Sequence, residues 1–388
     1  MSTLKVGGIR GISASSDAIT VANDGTCTAN ITNNLSNRNL IINGAMQVAQ
    51  RGTSSTSTGC ETVDRFHIIV NGADEAPTQA QVDVASGTTP FSLGFRKAYR
   101  VTNGNQTSVG TNDYISIKYE NEAQVIANSG WNYISTSSFI TLSFWVKSSV
   151  AQNFFGYIKT FDGSALHYPF ETGSLSADTW TKVTKTIPGN SNLQFDSDTN
   201  KGFQIHISQF WGTNNTSNSI TLNQWVSWNG AQRTPDSTST WYTTNDATFE
   251  ITGLQLEVGS VATDFEHRSF AQELALCQRY FEKSYDYGTV AGTATSSGVL
   301  NNGGLTGMNN ASHATRASIR YKVTKRTSPT VITFDLAGNS GKCNFPDTSN
   351  NVTMSVLQAG SNGCGVETAA VTSTDTRCYY HFTADAEL

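Results

Sequence analysis

Apolar and polar residues alternate along most of the chain between residues 62 and 262. A period of two is typical of β-strands that bury one face. It predicts strands at residues 62–70, 93–102, 113–121, 139–149, 154–161, 179–187, 202–211 and 247–259. Ile140, Leu142 and Phe144 share the predicted core face of the fourth strand, whereas Trp145 lies on its other face. No helical pattern separates these strands to provide crossover connections, so the pattern predicts an all-β antiparallel sandwich.

One helix is predicted after the last of these strands, in the sequence SFAQELALCQRYFEKSY at residues 269–285. Ser269 followed by Gln272 three residues later is a capping box. The apolar stripe of this helix comprises Phe270, Leu274, Cys277, Phe281 and Tyr285. Such a stripe requires a partner surface. The sequence leaves two partners open, which are the sandwich itself and the same helix in two further copies of a trimer.

Residues 1–36 contain too little apolar surface for an independent core, and the first aromatic residue of the chain is Phe66. Asp24-Gly25 lies between alternating residues of the 18–31 stretch and predicts a hairpin, which is marginal in water by itself. The segment is therefore expected to obtain its burial from other chains, as an attachment and trimerisation segment. The apolar residues expected to serve this purpose are Leu4, Val6, Ile9, Ile12, Ile19 and Val21. A frayed N-terminus is the alternative.

A Gly-rich stretch at 288–307 separates the predicted helix from a second set of strands, predicted at 317–324, 329–336, 352–359 and 378–385. The chain is thus predicted to have four parts: the N-terminal segment 1–36, a jelly-roll sandwich at 37–262, an exit helix at 263–287 and a small C-terminal β domain at 288–388.

Composition agrees with a β-rich protein that has many polar turns. Only 14% of the residues are charged, against about a quarter in a typical protein. Thr, Ser and Asn together supply 127 of the 388 residues. The formal net charge is −5, and no run of Lys or Arg is present to neutralise several phosphates, so the sequence argues against nucleic-acid binding. It also predicts no membrane insertion, since it has no window of 18 apolar residues.

The six cysteines are spread along the chain without a C-x-x-C pair. They are expected to be mostly free thiols in a protein made in a reducing cytosol. A disulfide among Cys343, Cys364 and Cys378 stays open as an alternative. The start, MSTLKVGGIRG, lacks the apolar stretch of a signal peptide.

Several stretches resemble a domain of tailed-phage tail fibre and virion structural proteins. They are NRNLIINGAMQVAQRG (37–52), TVDRF (62–66), FWVKSS (144–149), residues 251–285 and KRTSPTV (325–331). Within them, Asn43-Gly44 predicts a tight turn, and Glu266 precedes the helix in an architectural position. The sandwich of that domain is similar to carbohydrate-binding jelly rolls.

The resemblance implies a trimeric tail appendage that is made in the host cytoplasm and located in the virion. Its implied partners are other phage tail proteins, reached through the N-terminal segment, and a polysaccharide or protein of the host surface.

The sequence contains no H-E-x-x-H, G-x-S-x-G or Walker A pattern, which are common catalytic motifs. Two carboxylate pairs, Glu120 with Glu122 and Asp196 with Asp198, have the residue type that a polysaccharide depolymerase uses. Asp196 and Asp198 are also the weak candidates for a structural calcium site, because oxygen ligands suit that ion. The expectation is nevertheless a protein without enzymatic activity or cofactor, with the calcium site left open.

The strongest binding signal is a polar stretch at 211–246 that is rich in large aromatic residues. These are Trp211, Trp225, Trp228, Trp241 and Tyr242. Exposed rings stack on sugars while amides and hydroxyls bind sugar hydroxyl groups, so the stretch is a candidate glycan site. The alternative is that the rings form a small core of their own or a subunit interface.

The function predicted from the sequence is attachment of a phage tail fibre to the host surface, by glycan binding. A structural adaptor or decoration fibre is the first alternative, and a polysaccharide depolymerase is the second.

Overall fold

The structure, a computed structural model, describes residues 6–12, 19–21, 27–29, 37–301, 312–345, 351–372 and 377–388. Its described N-terminal part is a three-stranded antiparallel sheet of β1 (Gly8–Ile9), β2 (Ile19–Val21) and β3 (Cys27–Ala29). Val21 pairs with Cys27 across the predicted hairpin, which is thereby confirmed. Leu4 of the predicted attachment set lies outside the described residues.

Apolar side chains of this N-terminal sheet face solvent. Val6 is 42% exposed, Ile9 is 54% exposed and Ile12 is fully exposed. Val21 is exposed as well, and Ile19 is half-buried. These residues thus lack the burial that a core would give them within this chain.

The sandwich consists of two six-stranded antiparallel sheets. Its strands are β4 (Ser54–Ser55), β5 (Phe66–Asn71), β6 (Thr78–Asp83), β7 (Lys97–Thr102), β8 (Tyr114–Glu122), β9 (Phe139–Ser148), β10 (Asn153–Thr160), β11 (Leu166–Ser174), β12 (Thr181–Pro188), β13 (Lys201–Trp211), β14 (Val226–Ser227) and β15 (Thr248–Val258). The first sheet has the order β14-β11-β10-β13-β8-β5, and the second has the order β12-β9-β15-β7-β6-β4. Since the chain repeatedly crosses between the sheets, the predicted antiparallel jelly roll is confirmed.

The main core lies between the two sheets. Ile140, Leu142 and Phe144 are fully buried there, as the alternation of their strand predicts, while Trp145 lies on the outer side of the second sheet. Short helices close the ends of the sandwich: α1 (Thr89–Ser92), α2 (Ala123–Ala127), a 3₁₀ turn at Thr213–Asn215 and α3 (Thr240–Thr243).

The segment that enters the sandwich runs along β15. Gly44 has no space for a Cβ atom, because the carbonyl oxygen of Leu254 lies against its Cα. Glu266 accepts hydrogen bonds from the backbone N–H groups of Asn37 and Asn39 at 2.6 and 2.7 Å. The architectural interpretation of Gly44 and Glu266 is therefore confirmed.

The exit helix α4 spans Phe270–Gln278 and begins with the predicted Ser269–Gln272 capping box. It is shorter than predicted, because Phe281 belongs to the strand β16 (Phe281–Lys283), which pairs with a strand near the end of the chain. Phe270 is 43% exposed, Leu274 is half-buried, and Cys277 and Phe281 are buried within this chain. The predicted stripe is thus divided between solvent and the interior of the chain itself.

The C-terminal part is a second β domain with its own apolar cluster. Its further strands are β17 (Leu300–Asn301), β18 (Ser312–His313), β19 (Arg316–Arg320), β20 (Thr330–Phe334), β21 (Lys342–Cys343), β22 (Val352–Gly360), β23 (Gly363–Thr368), β24 (Val371–Thr372) and β25 (Tyr379–Asp385). The strand β25 pairs with β16, β17 and β20.

The cysteines at 60, 277, 343, 364 and 378 are buried free thiols, as predicted. No disulfide joins Cys343, Cys364 or Cys378, although the thiols of Cys343 and Cys378 form a hydrogen bond.

Ion pairs join the C-terminal domain to the sandwich. The fully buried Arg65 pairs with Glu387, and Arg51 pairs with Asp385 at 2.8 Å. The guanidinium of Arg65 also lies over the ring of Tyr280 at 3.4 Å.

A bilayer-spanning helix needs about 20 apolar residues, and no helix within the described ranges is of that kind.

Candidate functional site

The stretch at 211–246 folds back over the outer face of the first sheet. Its strand β14 pairs with β11, where Val226 lies opposite His167. The backbone N–H of Trp228 then donates to the carbonyl of Ala165 at 2.9 Å. These bonds place the half-buried Trp228 ring on the outer face of the sheet, away from the core.

The five aromatic residues predicted as sugar-binding rings are separated by the fold. Trp241 and Tyr242 lie on α3 and are fully buried in the main core, where Tyr242 stacks on Phe210 at 4.4 Å. Their interpretation as exposed rings is wrong, because α3 inserts both of them between the sheets. Trp225 is half-buried and donates from its indole N–H to the carbonyl of Pro188 at 2.8 Å.

Trp211 is also buried, with 1% of its surface exposed, but it lies on the outer face. Its indole N–H donates to Ser208 Oγ at 2.6 Å, and the Arg233 guanidinium covers its ring at 4.3 Å. Trp211 therefore supports the layer above it, and Trp228 is the member of the predicted set that reaches the surface of this face as a half-buried ring.

An aromatic layer lies beneath and beside Trp228. Tyr157 of β10 is paired with His206 of β13, and their rings stack with centroids 4.4 Å apart. The Trp228 ring lies 5.5 Å from Tyr157 and 5.2 Å from His167. Because side chains alternate along a strand, neighbouring strands in register bring these rings onto a common face.

His206 is a neutral part of this layer. Its Nδ1 lies 3.1 Å from Ser116 Oγ, within hydrogen-bond distance. Burial lowers the pKa of His206 well below its ordinary value, and the nearby cations Lys118 and Arg233 lower it further. An uncharged imidazole at neutral pH makes the layer a platform of rings.

Two lysines and a phenylalanine extend the face beside Trp228. The Lys159 ammonium lies over the Trp228 ring at 4.1 Å and over the Phe161 ring at 4.5 Å. The Lys201 ammonium lies 5.3 Å from the centroid of the same Phe161 ring. Burial, followed by the charges of Lys201 and Arg233, lowers the pKa of Lys159.

The buried Glu120 is the carboxylate of this face. It accepts a hydrogen bond from Gln204 Nε2 at 2.6 Å and forms ion pairs with Lys118 and Lys201. Burial raises the pKa of Glu120, but the two lysines outweigh this effect and the pKa is lowered overall. A general acid needs a raised pKa, so Glu120 has an environment that disfavours that role.

Glu122 is separated from Glu120 by its own partners. Arg279 binds it through two hydrogen bonds of 2.7 Å, and the Tyr280 hydroxyl donates to it at 2.6 Å. These bonds outweigh the effect of burial and lower the pKa of Glu122. The second carboxylate of the candidate pair is thus part of the connection between the sandwich and the region after α4.

Asp196 and Asp198 lie in a solvent-facing turn. The backbone N–H of Asp196 donates to Asp162 Oδ2 at 3.0 Å, and Asp198 accepts from the backbone of Asn200 at 3.0 Å. Across the residues that the structure describes, no three His, Cys, Asp or Glu side chains are grouped to hold a metal ion. These contacts identify the two carboxylates as parts of a turn.

A separate cleft of about 220 Å³ lies on the outer face of the second sheet. Trp145, Lys182, Asp264, Phe265 and His267 are among its lining residues. The outer face of the first sheet, by contrast, is a shallow surface with several rings and cations. That combination makes it the better candidate for an extended ligand.

Sequence reasoning missed Tyr157, Lys159, His206 and Arg233 as members of this face. The signal for the first two was present in FFGYIKTF (154–161), where alternation places Tyr157 and Lys159 on the side away from the core. Arg233 gave no such signal, because its position depends on how the 211–246 stretch returns to the sheet.

No protein-family model matches the sequence, and no curated protein matches it. Among solved structures, the chain is similar to the enzymatically active domain of tailspike protein 4 from bacteriophage CBA120, at 11% identity and a TM-score of 0.29. That match covers 57% of this chain and 21% of the phage domain, so the chain spans about a fifth of it.

Two further similar structures have sugar-related names. A putative sugar binding protein from Bacteroides thetaiotaomicron matches at 13% identity and a TM-score of 0.28, covering 57% of this chain and 99% of the other. A family 11 carbohydrate-binding module from Clostridium thermocellum, in complex with a mixed-linked tetrasaccharide, matches at 12% identity and a TM-score of 0.24. That match covers 56% of this chain and 99% of the module. The strand order itself defines the chain as a jelly-roll sandwich protein with a second small β domain.

Proposed function

We propose that this chain is a glycan-binding protein, and that it binds saccharide on the outer face of its first sheet. The observation that carries the proposal is the half-buried ring of Trp228, which lies on a layer of stacked rings and next to Lys159. Aromatic rings that are grouped at a surface, unlike single exposed apolar residues, indicate an interaction site. A sugar ring offers a flat apolar face to such a partner and hydroxyl groups to the polar side chains around it.

Rigidity of the platform supports the same function. Tyr157 and His206 are buried and held by paired strands, and Trp211 is fixed by its bond to Ser208. Binding to a surface that is already ordered costs less side-chain entropy than binding to a mobile loop. The proposed site therefore needs no rearrangement to bind a polysaccharide chain on its surface.

The test is retention of the whole chain on a panel of immobilised bacterial polysaccharides, with Trp228→Ala compared with Trp180→Ala. Trp180 is a matched control, because it is also half-buried and lies near a lysine, Lys147, but on the second sheet. We expect Trp228→Ala to lose retention and Trp180→Ala to keep it, with both variants folded by circular dichroism. Equal retention by wild type and Trp228→Ala would rule out this site.

We further propose that the protein is a trimeric tail appendage of a phage virion, attached through residues 1–36. The exposed Val6, Ile9 and Ile12 support association with other chains, since they are unburied in this one. Sedimentation equilibrium of the full chain should give three copies, and a stable folded monomer would contradict the proposal. A chain that lacks residues 1–36 should fail to enter particles.

The structural adaptor is the second candidate, favoured by the same exposed N-terminal residues. It predicts a collar or an internal joint as the location in the particle, whereas adhesion predicts a distal tip. We propose no catalytic function, because Glu120 and Glu122 are each held by cations that lower their pKa values. Release of oligosaccharide that is lost in Glu120→Gln would overturn this assignment.

A further inference from the structure

The outer face of the first sheet has more positive than negative charge. The cations around Trp228 are Lys118, Lys159, Lys201 and Arg233, and the Glu120 carboxylate lies among them. Glu120 already pairs with Lys118 at 3.0 Å and with Lys201. The single negative charge of Glu120 is thus shared by two of the four cations, Lys118 and Lys201.

The other two cations, Lys159 and Arg233, lie outside these two ion pairs. In the described part of the chain, neither Lys159 nor Arg233 forms an ion pair with a carboxylate. The Nε atom of Arg233 is buried and makes no hydrogen bond there. A buried donor without an acceptor is costly, so the guanidinium keeps hydrogen-bonding capacity that the described residues do not use.

Both unpaired cations lie over the same ring. The Lys159 ammonium is 4.1 Å from the centroid of Trp228, and the Arg233 guanidinium is 5.9 Å from it. The formal net charge of the chain is −5, so these neighbouring cations form a local positive patch. A positive patch on a negative protein is a local feature that suits an anionic ligand.

We propose that this face selects an acidic saccharide, with a sugar ring on Trp228 and its carboxylate between Lys159 and Arg233. The inference rests on the proposed glycan-binding function and names its ligand class. A carboxylate fits because guanidinium binds it through two parallel hydrogen bonds, while the lysine adds a point charge. The Trp228 ring beside the cations favours a saccharide over a free inorganic anion, since an inorganic anion has no apolar face to stack.

The experiment measures the affinity of the full chain for four soluble polymers: polygalacturonate, dextran sulfate, neutral dextran and duplex DNA. Lys159→Gln and Arg233→Gln are compared with Lys147→Gln, which removes a lysine near a tryptophan on the other sheet. We expect tight, salt-sensitive binding of polygalacturonate that weakens about tenfold in each of the first two variants, the loss of one charge-assisted hydrogen bond. The Lys147→Gln variant should bind like wild type, and thermal melting should show that all three variants fold.

Each other outcome has a separate meaning. Equal binding of neutral dextran that is unchanged in Lys159→Gln would overturn the acidic ligand and leave the glycan function standing. Preference for dextran sulfate would overturn the carboxylate as the recognised group. Equal binding of duplex DNA would overturn the saccharide as the ligand in favour of any polyanion. If the chain binds none of these polymers and no other saccharide, the glycan function itself is refuted.

Discussion

Replacing Glu387 by Gln removes the charge that neutralises a fully buried arginine. Arg65 has no exposed surface. Its Nη1 atom forms the ion pair with Glu387, and its Nη2 atom donates to the backbone carbonyl of Glu120. Gln has nearly the shape of Glu, so the variant removes charge with little change of volume. The cation in the sandwich then loses its acidic partner in the C-terminal domain.

The magnitude follows from the burial of both groups. Removing one partner of a buried ion pair costs about 3–5 kcal/mol, because the remaining charge is left without compensation. The Glu387 side chain is 10% exposed, and Arg65 keeps its carbonyl acceptor and its contact with the Tyr280 ring. We therefore expect the lower end, about 3 kcal/mol in the free energy of unfolding.

The assay is urea unfolding followed by tryptophan fluorescence. Asp83→Asn is the matched control, because the Asp83–Lys97 pair is 2.6 Å long but its side chains are 81% and 38% exposed. An exposed pair contributes about 0–1 kcal/mol, so this variant should unfold near the wild-type midpoint. If Glu387→Gln and Asp83→Asn unfold at the same urea concentration, the reasoning from burial is refuted.

Three further predictions concern stability and thiol chemistry. Ser269→Ala should destabilise α4 by about 1 kcal/mol, since it removes the acceptor for the Gln272 N–H, and an unchanged thermal midpoint would contradict this. Burial, followed by the Lys118 charge, lowers the pKa of His67 to about 3 from an ordinary 6.5. Between these pH values the unfolded chain binds a proton at His67 that the folded chain does not bind, so the free energy of unfolding should fall as the pH falls from 6.5 to about 3. The fall should be less steep in His67→Gln, and identical pH profiles for the two proteins would exclude His67 as its origin. Mild oxidation should join the hydrogen-bonded thiols of Cys343 and Cys378, and peptide mapping that finds both reduced would count against their proximity.

Strands with regular alternation could be predicted from the sequence, and those without it could not. The strand β9 alternates from end to end, and it was found with nearly its observed bounds. By contrast, β11 contains Pro169 and Gly173, both of which argue against a strand when only local sequence is considered. Its position is determined by pairing with β10 and β14 on its two sides.

The end of α4 shows a second limit of local patterns. The apolar spacing continues through Phe281 to Tyr285, so it favours one long helix. The chain instead leaves the helix after Gln278, because Phe281 pairs with Asp385 of β25. A pairing across about a hundred residues gives no signal in the helix itself.

The sequence predicted that aromatic residues form the candidate site, but it did not predict which of them reach the surface. Aromatic residues in a polar stretch drew attention to 211–246, and Trp228 does reach the surface of the first sheet. Trp241 comes from equally polar surroundings, yet it is buried. Sequence composition could not separate the two, because burial here depends on which side of the sheet the returning chain passes.

The placement of β25 makes the sandwich depend on a segment translated much later. Arg65 and Glu387 are 322 residues apart, and β25 also completes the pairing of β16. Until that segment arrives, a nascent sandwich contains an arginine without its neutralising charge and is correspondingly weaker. The last strand and the two residues after it thus supply a charge and a strand pairing that the earlier part of the chain cannot supply by itself.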